Sequence, residues 1–469
     1  MPERSHRTPS RTLHTARVVI AILPFALSLQ RDRRRWFWWG APLPRSAAFH
    51  ARRARRLVER IVSLGPTFVK LAQVFASRAD LVPEPYLSTL ATLTDQVPPV
   101  PWGGIEATLV EAYDAPPSAI FTSIDELPVA AASLGQVHRA TWNGRDVAVK
   151  VLRPNIERTV AADLESARAI TGWAARQWPV PHVQGFAALV EEFALRISEE
   201  MDFRLEAEYA TEVRGNFRRN PRVVVPEIMH DLTRRRVLVM EFIEGTRIDR
   251  LAPGSVPASR LAGLVMEVYV QMMLVDGLFH ADPHPGNLLL TDDGRLVLLD
   301  FGMMVRVRND TRLSLIRTVF ASIRRDPTAV AAGFHELGLV APGADPAEIQ
   351  RLAELLVSMA STRATARQRL EKMMSDRVMS SLYDFPVILP RDLVYFARTA
   401  ALIEGIGSRY DEFFNAVEVG TPLVMRMRSR ILRSLGKEAA PSLEEMAAFA
   451  GWAAGRLWRD AVEWLRQPS

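Results

Sequence analysis

The stretch FHADPHPGNLLLTDDGRLVLLDFG, residues 279–302, decides the fold of this chain. Two short apolar runs within it flank an Asp-Gly dipeptide at 293–294, which predicts two strands joined by a tight hairpin turn. Polar residues able to do chemistry lie on both sides of this hairpin, with Asp282 and Asn287 before it and Asp300 after it. The hairpin would therefore present hard oxygen ligands from both of its ends.

The spacing of these polar residues is typical of a phosphotransferase. Asn287 follows Asp282 by five positions, and the sequence Asp-Phe-Gly begins at Asp300, thirteen positions after Asn287. Kinase catalytic loops show this order, in which the first aspartate orients or deprotonates the attacking hydroxyl and the other two residues bind Mg²⁺. Because Mg²⁺ prefers hard oxygen ligands, we predict Asn287 and Asp300 as metal ligands and Asp282 as the catalytic residue.

The same stretch allows a second interpretation, a transition-metal site. His280, Asp282 and His284 alternate, so they would share one face of an extended strand. No other His/Asp cluster in the sequence completes such a site, and the Asp-Phe-Gly motif would have no role. The catalytic-loop interpretation is therefore favoured, with His280 as a structural histidine behind the loop.

A kinase also needs a lysine on a strand and a loop over the ATP phosphates. Lys150 lies in DVAVKV, the second strand of a hairpin predicted by Asn-Gly at 143–144, and it matches the kinase V-A-I-K lysine. The upstream loop should be rich in glycine, but residues 130–136 have the sequence AAASLGQ, with Gly135 as the one glycine. Alanine does not let phosphates approach the backbone as closely as glycine does, so this loop departs from ordinary protein kinases.

Four motifs in order resemble the UbiB/AarF (ADCK) family of atypical kinase-like proteins, over residues of about 46 to 425. LGPTFVKLAQ (64–73) is similar to the family's KxGQ helix, although Ala72 replaces the glycine. PVAAASLGQVHRA (128–140) is similar to its alanine-rich loop, and EEMDFRLEA (199–207) to its ExD helix. The fourth motif is the catalytic loop with Asp-Phe-Gly described above.

The resemblance implies an α+β, bilobal protein-kinase-like fold. It would have a small antiparallel-sheet N-lobe, a helical C-lobe, an N-terminal helical extension and a helical C-terminal tail. We predict a basic, apolar arm at 1–45, the extension and a linker at 46–118, the N-lobe at 119–245, the C-lobe core at 246–340 and the tail at 341–469.

Within the predicted N-lobe, β-rich runs indicate strands at 119–124, 136–142, 146–152, 222–228 and 235–243. All five are expected in one small antiparallel sheet. One helical stretch is expected between them, at about 186–218.

The resemblance also implies ATP and Mg²⁺ as cofactors and gives roles to individual residues. Lys150 would pair with Glu206 as well as with the ATP phosphates, and Lys70 would pair with Glu200. His284 stands where protein kinases have a lysine, and no A-P-E segment follows Asp-Phe-Gly, which argues against a conventional protein kinase. The implied nucleotide-binding set comprises Lys70, Gln73, Ala130, Ala131, Ala132, Ser133, Lys150, Glu200, Asp202, Glu241 and Phe242.

The basic charge is concentrated at the N-terminus. Residues 1–60 contain fourteen arginines and three acidic residues, so they carry +11, and the rest of the chain carries −5 of the net +6. The uncharged run at 18–29 has twelve residues, fewer than the roughly 20 needed to span a bilayer. It precedes clustered Arg and Trp at 31–39, a composition typical of membrane interfaces. The alternative is a helix that docks on the protein itself.

These observations lead to one leading hypothesis and two alternatives. The leading one is a Mg-ATP-dependent atypical kinase or ATPase that supports isoprenoid quinone (ubiquinone-type) lipid metabolism. It would be cytoplasmic and peripheral on the inner face of a membrane. Expected partners are ATP, an anionic membrane surface, an isoprenoid quinone or precursor lipid and a second copy of the chain, but no nucleic acid. The alternatives are a small-molecule phosphotransferase resembling aminoglycoside kinases and a nucleotide-binding pseudokinase scaffold. The absence of cysteine excludes disulfides and thiolate chemistry.

Overall fold

A computed structural model gives the architecture of the chain. It describes residues 11–33, 43–76, 82, 84–93, 97–177, 181–252, 258–281, 285–340, 343–360, 391–410 and 414–434. The chain divides into two compact units. The first comprises residues 1–214, 226–244 and 300–302, and the second comprises residues 215–225, 245–299 and 303–469.

Helices make up most of the regular structure. Helix α10 continues directly into a π-helix, Gln271–Asp276, and a 3₁₀-helix spans Pro285–Asn287. The helices in chain order are α1 (Arg11–Arg33), α2 (Ala47–Leu64), α3 (Pro66–Phe75), α4 (Tyr86–Leu90), α5 (Trp102–Tyr113), α6 (Pro117–Ile120), α7 (Ile156–Gln177), α8 (Pro181–Glu200), α9 (Phe203–Phe217), α10 (Ala258–Val270), α11 (Asn309–Arg324), α12 (Pro327–Glu336), α13 (Pro346–Ala360), α14 (Arg391–Tyr410) and α15 (Ala416–Ser434).

The strands in the described part of the chain form three separate sheets, and each sheet lies within one unit. The first unit holds the sheet of β1, β2, β3, β4 and β6, and the second unit holds the other two sheets. In chain order the strands are β1 (Ser123–Ile124), β2 (Ala130–Ala131), β3 (Gly135–Trp142), β4 (Arg145–Leu152), β5 (Val223–Val224), β6 (Val237–Glu241), β7 (Thr246–Arg247), β8 (Leu278–His280), β9 (Leu288–Leu290), β10 (Leu296–Leu298) and β11 (Met304–Arg306).

The β3–β4 hairpin forms the centre of the antiparallel sheet in the first unit. Its turn is the predicted Asn143-Gly144, and both residues have positive φ, at 49° and 74°, as a two-residue hairpin turn requires. Side chains alternate across β4, so Val149 and Val151 are fully buried while Lys150 points to the opposite face of the strand. Strand β6 pairs with the other edge of β4 and completes the support of Lys150.

Two sequence-based expectations for this region were wrong. Helix α7 was not expected, because the side chains that it buries include Ala167, Asp163 and Ser166, which weaken the apolar period of the helix. The predicted strand at 222–228 is divided: Val223–Val224 form β5, which pairs in parallel with β10 in the second unit, whereas Ile228 forms an isolated antiparallel bridge with Met240 of the small sheet. The sequence shows only that such a run favours a strand, and it does not show which strand is its partner.

The second unit contains the predicted hairpin of β9 and β10, which turns at Gly294 with φ of 81°. Strands β5 and β7 extend this hairpin into a four-stranded sheet, and β8 pairs with β11 in a separate ribbon. The backbone N–H of Leu299 donates to the carbonyl of Asn287 at 3.1 Å, so the end of the hairpin is tied to its beginning. Helices α10, α14 and α15 pack together in the same unit.

Helix α1 docks on the protein through one of its faces. Val18 is 1% exposed, and Thr15 shares a hydrogen bond of 3.0 Å with Ser166 of α7. From α2, Arg60 donates to the carbonyl of Ala21 at 2.9 Å. These contacts correspond to the alternative interpretation of the apolar run at 18–29, in which the helix docks on the protein itself.

A buried arginine holds α1 against α2 and α4. The guanidinium of Arg53 pairs with Asp32 of α1 and lies 5.4 Å from the ring centroid of Tyr86 on α4. Burial by itself would raise the pKa of Asp32, but Arg45 and Arg53 lower it further than burial raises it. No helix in the described ranges is long and apolar enough to cross a membrane.

Candidate active site

An ion pair between β4 and α9 forms the centre of the candidate site in the first unit. Lys150 Nζ donates to Glu206 Oε1 at 2.6 Å and lies 3.4 Å from Asp300 Oδ1. The Phe203 ring lies beneath this ammonium, with its centroid 5.1 Å from Nζ. The structure thus brings together three residues that are 56 to 150 positions apart in the sequence, each of which was a predicted site residue.

Burial and neighbouring charges shift the proton affinities of this cluster. Burial by itself lowers the pKa of Lys150, but the carboxylates of Asp300 and Glu206 outweigh it and raise the pKa above its ordinary value. Burial raises the pKa of Glu206 to about 7, although Lys150 opposes the shift. Lys150 therefore keeps its positive charge, which is the form that binds phosphates.

A second ion pair joins the N-terminal extension to the same cluster. Gly65, with φ of 112°, separates α2 from α3, and Lys70 on α3 pairs with Glu200 at the end of α8. Burial raises the pKa of Glu200, against the opposing effect of Lys70. A Cβ added at Gly302 would lie 3.3 Å from Glu200 Cγ and 3.3 Å from Asp300 Oδ1. Gly302 therefore lies beside both Glu200 and Asp300, and a side chain at this position would crowd them.

Gln73 and Asp202, two residues of the predicted nucleotide-binding set, form hydrogen bonds within the protein. Gln73 Nε2 donates to the carbonyl of Leu93 at 3.1 Å. Asp202 accepts the backbone N–H of Arg204 at 3.1 Å and pairs with its guanidinium, so it acts as the N-cap of α9. The hydrogen bond from Arg204 lowers the pKa of Asp202.

The alanine-rich loop is a tight turn at the edge of the sheet. Ala130 and Ala131 form β2, and the N–H of Ala132 donates to the carbonyl of Gly135 at 2.8 Å. A Cβ at Gly135 would lie 2.7 Å from the carbonyl oxygen of Val151, so this glycine is required by strand packing. Ser133 is 1% exposed, and its hydroxyl has no hydrogen-bond partner among the residues that the structure describes.

Glu241 and Phe242, two residues of the predicted nucleotide-binding set, lie at the end of β6 and directly after it. The N–H of Phe242 donates to the carbonyl of Asp146 at 3.1 Å, and the Arg139 guanidinium lies 4.6 Å from the centroid of its ring. Glu241 accepts the backbone N–H of Glu227 at 3.2 Å through its side chain. This segment is thus fixed to β4 and to the chain before β6.

His280 and Asn287 of the predicted catalytic loop lie in the second unit. Asn287 ends the 3₁₀-helix before β9 and is half-buried. His280 is 6% exposed, and its carbonyl accepts the hydroxyl of the fully buried Thr399 from α14. Asp282 and His284 lie outside the described residues. Within the described ranges no group of three His, Asp or Glu side chains could hold a metal ion.

The residues present in the first unit suit Mg²⁺ and phosphate. Around Gly302 lie the carboxylates of Glu200, Glu206 and Asp300, and the two ammonium groups of Lys70 and Lys150 balance two of the three charges. Asp300 is also one-third exposed, so its oxygens are accessible to a ligand. Hard carboxylate oxygens are the ligands that Mg²⁺ prefers, and Asp300 would supply such an oxygen from this unit. The buried hydroxyl of Ser133 would suit a phosphate oxygen.

Phe203 is the residue of this site that the sequence argument missed. It follows Asp202 directly, is 2% exposed, and carries the Lys150 ammonium on its ring face. The available signal was its position inside the ExD motif, three residues before Glu206. An aromatic residue in a helix is ordinarily a core residue, and for this reason the pattern did not single it out.

The α+β architecture and the Lys150–Glu206 pair together define the kinase-like class of proteins. The ABC1 atypical kinase-like domain matches residues 92–333, which is more than half of the chain. The chain belongs to this family, the UbiB/ABC1 family that the four sequence motifs predict.

Two relatives, one of which is named as a kinase, support the assignment. An uncharacterized protein of Synechocystis sp. is 32% identical over 414 residues, covering 87% of this chain and 60% of its own length. The chloroplastic ACTIVITY OF BC1 COMPLEX KINASE 3 of Arabidopsis thaliana is 32% identical over 403 residues, covering 85% of this chain and 55% of its own length. The chain thus spans just over half the length of these relatives.

A solved structure supports the fold. The complex of Rv3197 with erythromycin from Mycobacterium tuberculosis matches with a TM-score of 0.60 and 26% identity, over 81% of this chain and 97% of that one. The prediction of an α+β, kinase-like fold is confirmed. The predicted domain boundaries stay predictions.

Proposed function

We propose that this protein is a Mg-ATP-dependent atypical kinase or ATPase. The observation that carries the proposal is the lysine–glutamate pair of Lys150 and Glu206 with Asp300 at 3.4 Å from the lysine. Protein kinases need this arrangement, because the lysine must be held by the glutamate to meet the ATP phosphates while the DFG aspartate holds the metal. Membership of an atypical kinase-like family agrees with it.

The chain's own residues would divide the work of phosphoryl transfer. Lys150 would hold the ATP phosphates, and Ser133 and the neighbouring backbone of the alanine-rich loop would cover them. Asn287 and Asp300 would hold Mg²⁺, which neutralises charge on the phosphate oxygens when bound. Asp282 would accept the proton of the attacking hydroxyl or water as the γ-phosphoryl group passes to that oxygen and ADP leaves.

Binding and turnover should be measured separately on the full chain. The proposal predicts that MgATP raises the thermal midpoint of the wild type and that Lys150→Met removes most of this shift. Arg158→Gln is the matched control, because Arg158 is an exposed cation at the start of α7. A wild type that does not respond to MgATP, in an assay where a control kinase does, would refute nucleotide binding. Binding without any ATP turnover would instead support a pseudokinase scaffold.

We also propose that the protein attaches peripherally to an anionic membrane, on the inner face facing the cytoplasm. The outer face of α1 supports this, because Ile20, Leu23 and Leu27 lie on one stripe and are 69%, 46% and 45% exposed. Exposed Arg17 and Arg31 flank this stripe on the same helix. An apolar stripe bordered by arginines suits the interface of an anionic bilayer. The Arg- and Trp-rich residues 34–39 lie outside the described residues.

Co-sedimentation with liposomes of mixed neutral and anionic lipids tests the membrane proposal. Leu23→Glu should reduce the bound fraction of the full-length chain, because it places a negative charge in the middle of the stripe. Leu195→Glu is the matched control, since Leu195 is a 64% exposed leucine on α8. Equal loss of binding in both variants, or no loss in Leu23→Glu, would remove α1 from the membrane proposal.

The acceptor and metabolic setting are proposed from the family resemblance, which links such proteins to isoprenoid quinone lipids. ATP turnover measured with liposomes that contain isoprenoid-quinone precursors should exceed turnover with the same liposomes lacking them. A second candidate is a small-molecule phosphotransferase or ligand-binding protein, favoured by the similar Rv3197 structure with erythromycin. Saturable binding of erythromycin, together with phosphorylation of it, would favour this candidate over the quinone setting.

A further inference from the structure

Arg153 connects three parts of the first unit through backbone carbonyls. It is the first residue after β4, three positions beyond Lys150. Its Nε donates to the carbonyl of Ala132 at 2.9 Å, and one terminal nitrogen donates to the carbonyls of Pro98 at 2.9 Å and Val97 at 3.4 Å. One guanidinium thus binds both the alanine-rich loop and the linker that leads from the N-terminal extension.

Neighbouring hydrogen bonds strengthen both of these attachments. The backbone N–H of Arg153 donates to the carbonyl of Leu134 at 2.8 Å, which fixes the end of the alanine-rich loop to the end of β4. The fully buried Gln136 accepts the N–H of Val100 at 2.8 Å and donates to its carbonyl at 3.2 Å. The linker at 97–100 is therefore held along its backbone by two side chains of the sheet.

The partners of Arg153 are all neutral. No carboxylate among the described residues is paired with its guanidinium, and its side chain is partly buried against the loop. Among the described residues its positive charge therefore has no carboxylate partner beside the turn that would cover the phosphates. A lysine could supply the charge but not the rigid fork that reaches two segments at once.

We propose that Arg153 is a positioning residue for ATP, which holds the alanine-rich loop against the linker and adds a positive charge beside the phosphates. This inference rests on the proposed function, because it assumes that the loop covers ATP. It concerns binding and not the transfer step, since Arg153 contacts the loop backbone and not Lys150 or Asp300. Loss of Arg153 therefore raises the KM for ATP more than it lowers kcat.

Amide hydrogen exchange of the full chain tests the positioning role without ATP. Arg153→Gln should increase the exchange rate of segments 97–104 and 129–135 together by about tenfold, which corresponds to about 1.4 kcal/mol of lost protection. Arg158→Gln, on an exposed arginine five positions further, should leave both segments unchanged. Unchanged protection of either segment in Arg153→Gln would overturn the claim that the arginine joins them.

Steady-state kinetics and ATP binding test the proposed contribution of Arg153 to ATP affinity. Arg153→Gln should raise the KM for ATP about tenfold with less than a threefold change in kcat, and Arg153→Lys should recover part of the loss by restoring the charge. A wild type that binds no ATP would refute the proposed function, while the exchange result would still decide the loop attachment. Wild-type KM in Arg153→Gln, or a loss confined to kcat, would overturn this inference alone.

Discussion

The two single substitutions that break the Lys150–Glu206 pair should destabilise the protein by different amounts. In Lys150→Met the carboxylate of Glu206 keeps its buried position, with 3% of its side chain exposed, but loses its cation. In Glu206→Gln the ammonium of Lys150 keeps a second carboxylate, Asp300, at 3.4 Å and is itself 20% exposed. The lysine variant should therefore be the less stable of the two.

The distance between the charged atoms sets the expected loss of unfolding free energy. At 2.6 Å and an effective dielectric constant of about 20, the attraction is about 6 kcal/mol before desolvation is subtracted. Removing one member of a buried pair typically costs 3–5 kcal/mol, and we expect the lower end, about 3 kcal/mol, for Lys150→Met because Glu206, whose pKa is already raised to about 7, takes up a proton once its cation is gone. For Glu206→Gln we expect about 1.5 kcal/mol, because Asp300 retains part of the interaction. The double variant should be less destabilised than the sum by about 2 kcal/mol.

Urea unfolding of the four proteins, followed by circular dichroism at pH 7.5, measures the three free-energy differences. The thermodynamic cycle isolates the coupling, provided that the slope of the transition is the same in all four proteins. A coupling below about 0.5 kcal/mol would refute the reasoning, because it would mean that solvent screens the pair. A greater loss in Glu206→Gln than in Lys150→Met would also refute it.

Three further predictions concern the same unit. Gly135→Ala should destabilise the protein by about 1–3 kcal/mol, because the new Cβ would lie 2.7 Å from a backbone oxygen. Gly103→Ala should stabilise it by about 0.5 kcal/mol, because Gly103 lies in the first turn of α5 and a Cβ there would have no atom within 4 Å. Urea midpoints that shift in the same direction in both variants would contradict this contrast. Since the folded pKa of Glu206 is about 7 and an unfolded glutamate titrates near 4.3, its stability contribution is complete below about pH 4 and is lost as the pH rises through 7. Stability measured from pH 5 to 8 should therefore fall less in Glu206→Gln than in the wild type or in the exposed control Glu208→Gln, and identical slopes would disprove the shift. Asp202→Ala should cost about 1 kcal/mol as a lost helix cap while the affinity for ATP stays within about threefold of wild type, and a large loss of affinity at unchanged stability would make Asp202 a ligand.

Local chemistry made the hairpins predictable from the sequence. Asn143, Gly144 and Gly294 adopt positive φ, which Asn and Gly tolerate better than other residues, so the two turns and the strands beside them follow directly from the Asn-Gly and Asp-Gly dipeptides. The order and spacing of Asp282, Asn287 and Asp300 indicated a kinase-like site because they match the spacing of kinase catalytic loops. Both inferences depend on neighbours in the sequence.

Partners that are distant in sequence could not be predicted from periodicity. The apolar run at 222–225 suits any sheet, and its pairing with β10 depends on a strand more than 70 positions away. The apolar run of α1 has two apolar faces, and only the fold shows that Val18 is buried while Ile20 is exposed. Likewise, the Lys70–Glu200 pair was implied by the family resemblance, and no local pattern connects those two positions.

Magnesium-dependent ATP turnover by the full chain tests the central claim most directly. Phosphate release should require Mg²⁺, stop in excess EDTA, and fall about 100-fold or more in Asp300→Asn, which keeps the shape of the side chain but removes its charge. The variant must retain the wild-type unfolding midpoint to within a few degrees for the comparison to hold. Turnover in Asp300→Asn equal to that of the wild type, or equal rates with Mg²⁺ and with EDTA, would contradict the assignment of this site as a Mg-ATP centre.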